Sequence, residues 1–200
     1  MTSIDFHTHD QQAPPPAIIQ IPTDYLLHPD EWQPRPGATY SAGIHPWDVN
    51  PDAPLQHLFE GFEKLAVRPE TIAIGECGLD RLRGDYACQS EVFIRQLEYA
   101  EALSKPVIIH CVKAIDEILR LHKAMRPRMK WTIHGFRGNA ATACQLLSAG
   151  LDLSFGPRFN PRAVEVCPPG RLHMETDDSG VPLCEVAAAL TPHLSTGDLS

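Results

Sequence analysis

Short apolar runs rich in β-branched residues recur along the chain, each followed by a polar stretch. They fall at residues 3–7, 17–21, 39–44, 71–76, 106–110, 130–134, 151–155 and 171–175. Runs of this length and composition predict strands. Segments with helical spacing lie between the later runs, at residues 54–67, 89–104, 113–125, 139–149 and 182–190. In the second of these the apolar stripe Val92, Phe93, Leu97, Ala100 and Leu103 repeats every three to four residues, as one buried helix face requires. Strands alternating with helices predict a parallel sheet with helical crossovers. Eight such strands predict an α/β fold, the (β/α)8 or TIM barrel.

The N-terminal third departs from this rhythm. Between His9 and Ala17 the chain reads Asp-Gln-Gln-Ala-Pro-Pro-Pro, too short and too proline-rich for a crossover helix. Pro22, Pro29, Pro34, Pro36 and Gly37 suppress helix in the next connection. The expectation is a barrel trimmed in its N-terminal third and at its C-terminal tail, with residues 195–200 frayed. No repeat or linker divides the chain, so residues 1–200 read as one domain.

Composition narrows the partners. The chain is 43% apolar and 21% charged, ordinary for a globular protein, with a formal charge of −8. That balance argues against broad electrostatic gripping of duplex nucleic acid, but not against a narrow site for one phosphate at a strand end. Cys77, Cys88, Cys111, Cys144, Cys167 and Cys184 are scattered, with no Cys-x-x-Cys spacing. No leader pattern opens the chain, and no apolar run approaches the ~18 residues of a membrane span. The expectation is a cytoplasmic protein with reduced thiols, no membrane association and no obligate protein partner.

Metal-ligand residue types close several of the apolar runs. His7 and His9 form a His-x-His pair, which places both rings on one face of a strand. Glu76 stands between Gly75 and Gly78 after Thr71–Ile74, and a buried carboxylate needs a cation or a hydrogen-bonded partner. His110 follows Val107–Ile109, His134 follows Trp131–Ile133, and Asp177 follows Leu172–Thr176. Each has a bland reading: a core histidine held by hydrogen bonds, a structural salt bridge, an acidic turn. The C-terminal ends of parallel barrel strands meet at one mouth, where active sites form. Six candidate ligands arriving there together point to a metal centre.

The successive motifs Asp5-Phe6-His7-Thr8-His9, Gly43-Ile44-His45-Pro46, Gly75-Glu76-Cys77-Gly78-Leu79-Asp80, Pro106-Val107-Ile108-Ile109-His110-Cys111, His134-Gly135-Phe136 and Glu175-Thr176-Asp177 resemble, in order, those of the TatD-type metal-dependent hydrolases. That family has a TIM-barrel fold, binds a pair of divalent metals and includes deoxyribonucleases. The resemblance implies that His7, His9 and Asp177 hold one ion, that His110 and His134 hold a second, and that Glu76 bridges them. It also implies that His45 touches the substrate phosphate and that Asp177 serves as base. Two cations ~3.5–4 Å apart clamp a phosphodiester and acidify bound water. Mg, Mn and Zn all suit such a donor set.

Val112 stands where the family commonly has arginine, and Arg158 is the candidate replacement on the substrate side. Asp178-Ser179 stands where the family has a proline. The favoured expectation is a DNase-like hydrolase acting at DNA strand ends. The alternatives are an amidohydrolase-like enzyme on a lactone, amide or small phosphoester, and a non-catalytic metal-binding barrel.

Overall fold

The computed structural model describes residues 4–50 and 52–194. Eight strands close into a barrel in sequence order, each parallel to its neighbours. They are β1 (Asp5–Thr8), β2 (Ala17–Gln20), β3 (Thr39–Ala42), β4 (Thr71–Asp80), β5 (Val107–Val112), β6 (Trp131–Ile133), β7 (Asp152–Phe155) and β8 (Leu172–Met174). The helices are α1 (Thr23–Leu27), α2 (Leu55–Ala66), α3 (Tyr86–Leu103), α4 (Ile115–Met125), α5 (Ala140–Ala149), α6 (Pro161–Glu165) and α7 (Leu183–Leu190).

Strand alternation sorts the side chains. Ile19, Tyr40, Ala42, Ile74, Val107, Ile109, Trp131, Ile133, Leu153 and Phe155 belong to the large apolar cluster between strands and helices. The alternate positions Ile18, Ala73 and Ile108 form a small separate cluster with Phe6, on the opposite face of the strand wall. Continuing that inner face towards the strand ends brings Gln20, Ser41, His110, His134 and Glu175, all polar. The barrel is thus apolar outside its wall, thinly apolar at its inner floor and polar at its mouth.

The N-terminal trimming takes a definite form. No helix lies between β1 and β2. The prolines of 22–38 do not abolish helix in the next connection as the sequence suggests: α1 spans five residues, starting directly after Pro22, where proline's fixed φ suits a helix entry. A 3₁₀ turn at Pro29–Glu31 follows. The short α1 packs close on α2, and a Cβ on Gly61 would fall 1.7 Å from the Leu26 carbonyl oxygen. The short α6 was also not foreseen; Asn160 caps it and Pro161 opens it.

Three other boundaries moved. The strand expected at 71–76 runs on to Asp80, so Glu76 lies inside β4 instead of at its end, and Cys77 lies within the strand instead of after it. β5 likewise carries His110 inside its span. Helix α3 starts at Tyr86, three residues earlier than the periodicity suggests, because the Asp85 carboxylate accepts from the amides of Ala87 and Cys88. The expected frayed tail at 195–200, and Ser3 of the first expected strand, lie outside the described residues. No helix among the described residues is long and apolar enough to cross a membrane, and no disulfide joins any of the cysteines among the described residues.

Candidate metal centre

Glu76 is the hub of the barrel mouth, and its side chain is almost wholly buried. Its Oε2 faces His7 Nε2 at 3.1 Å and His9 Nε2 at 3.2 Å. Its Oε1 faces His110 Nδ1 at 2.7 Å, His134 Nε2 at 2.7 Å and His45 Nε2 at 3.1 Å. Asp177 completes the first side, with Oδ1 3.8 Å from His7 Nε2 and 3.6 Å from His9 Nε2. His7, His9, His45, Glu76, His110, His134 and Asp177 thus stand within one cluster. Arg158 stands apart from it, in a narrow cleft at the ends of β6, β7 and β8 that Asp177 also lines.

Backbone devices bring these groups together. The Gln20 side-chain oxygen accepts from the Glu76 amide at 2.5 Å and from the Ser41 hydroxyl at 3.0 Å, tying β2, β3 and β4 under the site. Gly43 permits the approach of β3 to β4: a Cβ there would lie 2.6 Å from the Glu76 carbonyl oxygen. Beyond β1, the His9 amide donates to the Asp177 carbonyl and the Asp177 amide donates to the His7 carbonyl. The Asp5 carboxylate grips Thr176 through both its amide (3.0 Å) and its hydroxyl (2.7 Å). This locks the Glu175-Thr176-Asp177 segment onto β1. Two buried glutamines of α3 hold the remaining loops. Gln96 exchanges hydrogen bonds with both the amide and the carbonyl of Ile44, next to His45. Gln89 accepts from the Asp80 amide and donates to the Arg83 carbonyl.

The electrostatics follow from crowding imidazoles around one carboxylate. Burial alone would push the Glu76 carboxyl up; His134, with the hydrogen bonds from His110, His134 and His45, outweighs it and holds the group well below the usual range. Burial disfavours charge on His134 too, but the Glu76 and Glu175 carboxylates hold that ring well above its ordinary value. His110 is pushed down, by burial first.

Hydrogen bonding alone does not satisfy this arrangement. A carboxylate offers about four lone-pair directions, and three ring nitrogens converge here on Oε1 alone. His7 Nδ1, His110 Nε2, His134 Nδ1 and Glu175 Oε2 are buried with no well-aligned hydrogen-bond partner among the described residues. A cation turns crowded ring nitrogens into lone-pair donors and removes the competition for protons. Three sets have ligand atoms close enough to share an ion: His7, His9, Glu76 and Asp177; His45, Glu76 and His110; His134, Glu175 and Asp177. The residues therefore fit divalent metal.

Sequence reading missed four supporting side chains. Asp80 Oδ2 lies 3.7 Å from His110 Nε2, and Glu175 Oε1 lies 3.4 Å from His134 Nδ1, the placement of outer carboxylates that orient candidate ligand imidazoles. Asp80 sits four residues from Glu76 and Glu175 two from Asp177, both candidate ligands, a spacing that could have flagged them. Gln20 ends the apolar run of β2, where a polar residue at the mouth was itself a signal. Arg137 lines the same cleft as Arg158. Nothing in its sequence context distinguished it from a surface arginine.

Comparison with known proteins agrees with this geometry. The family model described as "TatD related DNase" matches residues 31–182. An uncharacterised metal-dependent hydrolase of Buchnera aphidicola is 30% identical over 152 residues, covering 69% of this chain and 58% of that protein. The 3'-5' ssDNA/RNA exonuclease TatD of Erwinia billingiae is 34% identical over 160 residues, covering 72% of this chain and 59% of that protein. The chain therefore spans under two thirds of the length of these curated relatives. The crystal structure of a TatD homologue from Escherichia coli K12 superposes with a TM-score of 0.73 over 96% of this chain and 90% of its own, at 23% identity. That likeness shows the same barrel fold.

Proposed function

The chain belongs to the TatD-related DNase family, and from that premise we propose that it hydrolyses phosphodiester bonds at the ends of single-stranded DNA, using two divalent cations. The observation that carries the reading is the division of labour at Glu76, whose two oxygens face two different sets of imidazoles. His7, His9 and Asp177 would hold one ion and His110 and His134 the other, with Glu76 shared between the two sets. When bound, the cations (Mg, Mn or Zn) polarise phosphoryl oxygen and acidify water. The exonuclease name of the curated relatives supports the substrate class.

The chain's own residues do the rest. The Asp177 carboxylate is partly open at the mouth, where it can take the proton of the attacking water. His45 Nε2, 3.1 Å from Oε1 on the opposite side of the Glu76 carboxylate, is the N–H we assign to the substrate phosphate. Arg137 and Arg158 make no ion pair among the described residues and offer guanidinium groups to flanking phosphates. A local cluster of cations within an acidic chain suits a single strand end better than a long duplex.

Purified protein, stripped by chelator and reloaded with Mg, Mn or Zn, tests this against single-stranded, duplex and small phosphoester substrates. Metal-dependent cleavage of single-stranded ends is expected. Undiminished turnover in the stripped protein, or activity confined to lactones or amides, would overturn it.

A further inference from the structure

Trp47 is the largest exposed apolar side chain at the mouth, half open to solvent, and it is held rigidly. It lies on a 3₁₀ turn, Pro46–Asp48, directly after His45. Its indole N–H donates to the buried Asp80 carboxylate at 2.8 Å. Its ring sits 4.9 Å from the His45 ring and 5.8 Å from the His110 ring, centroid to centroid. The Arg83 guanidinium lies 4.0 Å from its centroid. Arg83 itself makes no ion pair among the described residues. A single exposed aromatic is ordinary on a protein surface. An exposed indole anchored by a buried carboxylate and stacked by an arginine, beside the candidate centre, is a prepared plane with little rotamer freedom left to lose on binding.

We infer that Trp47, backed by Arg83, is a stacking platform for an unpaired nucleobase of the nucleotide next to the scissile phosphate. This rests on the phosphodiester reading above and deepens it by assigning the residues that recognise a base. Stacking on an aromatic is tolerant of sequence, because every base has a π face, and it demands an unstacked base, which a strand end supplies and a duplex interior does not. The arginine adds a cation that attracts the adjoining phosphate and strengthens the stack. The indole N–H is occupied by Asp80, so the platform reads the base's face and not its hydrogen-bonding edge. Little preference among the four bases follows.

The test uses metal-loaded full-length protein and two single-stranded oligodeoxynucleotides of equal length. One is normal. The other carries stable tetrahydrofuran abasic units at its terminal nucleotides, leaving every phosphate in place. Wild type is expected to favour the normal strand in kcat/KM by roughly 5- to 160-fold, the range of base–aromatic stacking. The variant W47A is expected to lose most of that ratio and W47F to keep most of it. Trp32 and Trp131 are buried, so tryptophan emission reports Trp47 when a phosphorothioate oligonucleotide is added. Quenching in wild type, absent in W47F, is expected. Equal cleavage of the two strands by wild type, or an unchanged ratio in W47A, would overturn the platform and leave the hydrolase reading standing. If wild type cleaves neither strand, the hydrolase reading falls, and the quenching experiment decides the platform alone.

Discussion

The backbone N–H of Trp47 donates to His45 Nδ1 at 3.1 Å. A neutral imidazole has one protonated and one bare nitrogen. With Nδ1 accepting, the proton sits on Nε2, the nitrogen aimed into the site. His134 is arranged the other way: its Nδ1 faces the Glu175 carboxylate, which favours a proton there, so that Nε2, which faces Glu76, is the nitrogen that would give its lone pair to a bound cation. One histidine is set as a donor to an anion, the other as a donor of lone pairs to a cation, although the two lie around the same carboxylate oxygen.

The first prediction follows from that pairing. His45→Ala should leave metal stoichiometry intact and lower kcat/KM on phosphodiesters by at least tenfold. His45→Gln, whose amide can place an N–H near the old Nε2, should recover part of the loss. Metal analysis beside steady-state kinetics checks both. Loss of one metal equivalent in His45→Ala would mean that His45 is a ligand and that the Trp47 amide does not set its tautomer.

Glu76→Gln removes the charge that faces both imidazole sets. The expected result is weaker binding of both ions and a loss of activity greater than any loss of stability. Stoichiometry by elemental analysis and specific activity of the folded fraction decide it. A purely structural salt bridge predicts the reverse: lower stability, with normal turnover per folded molecule.

Asp177→Asn keeps the size of the side chain and removes its basicity. A general base contributes about 10²–10⁴-fold, so kcat and kcat/KM should fall together by that order. An effect within about threefold would be too small for the assigned role. Asp177 has positive φ (53°), a conformation asparagine tolerates well, so the substitution should spare the local backbone.

Much of this was legible in the residues. The eight strands follow from short β-branched runs, and the mouth residues follow from polar groups closing those runs. What stayed hidden was governed by tertiary contacts. Nothing in Thr71–Asp80 reveals that β4 continues past Glu76, because that extension depends on pairing of Cys77–Asp80 with Ile109–Val112 of β5. Helix α1 lies among prolines and persists by packing on α2 at Gly61, a contact between distant segments. Val112 stands where the family resemblance leads one to look for an arginine, but only the fold brings Arg137 and Arg158 into one cleft. The tautomer of His45 was equally out of reach, since it depends on a 3₁₀ turn that presents the Trp47 amide.

Stability should carry a pH signature far from the mouth. Burial, and then the Lys130 charge, push His122 of α4 below the ordinary imidazole value, with the Trp131 ring 5.1 Å away. The unfolded chain therefore takes up this proton first as pH falls through about 6.5, and folding stability declines from there until the lower folded pKa is passed. Above that window the contribution is fully present. His122→Gln should flatten this part of the profile, read as urea midpoints between pH 5 and 8. Parallel profiles for the two proteins would rule His122 out as the cause.

The last prediction concerns Glu175, a fully buried carboxylate that is not one of the six proposed ligands. Its Oε1 accepts from the Gly135 amide at 2.6 Å and faces His134 Nδ1 at 3.4 Å. Burial would raise its pKa, but His134 outweighs it and keeps the group ionised. An outer carboxylate of this kind fixes the ring's tautomer and orientation, and its loss typically costs 10–100-fold in metal affinity or activity. Glu175→Gln preserves shape and an oxygen for the Gly135 amide but lowers the basicity of His134. Metal affinity at the His110–His134 side should fall by about that factor, with the other ion little changed. Excess metal should then restore turnover. If Glu175 is instead a ligand, as its place beside His134 and Asp177 permits, the substitution should abolish one ion outright, and no excess of metal should rescue it.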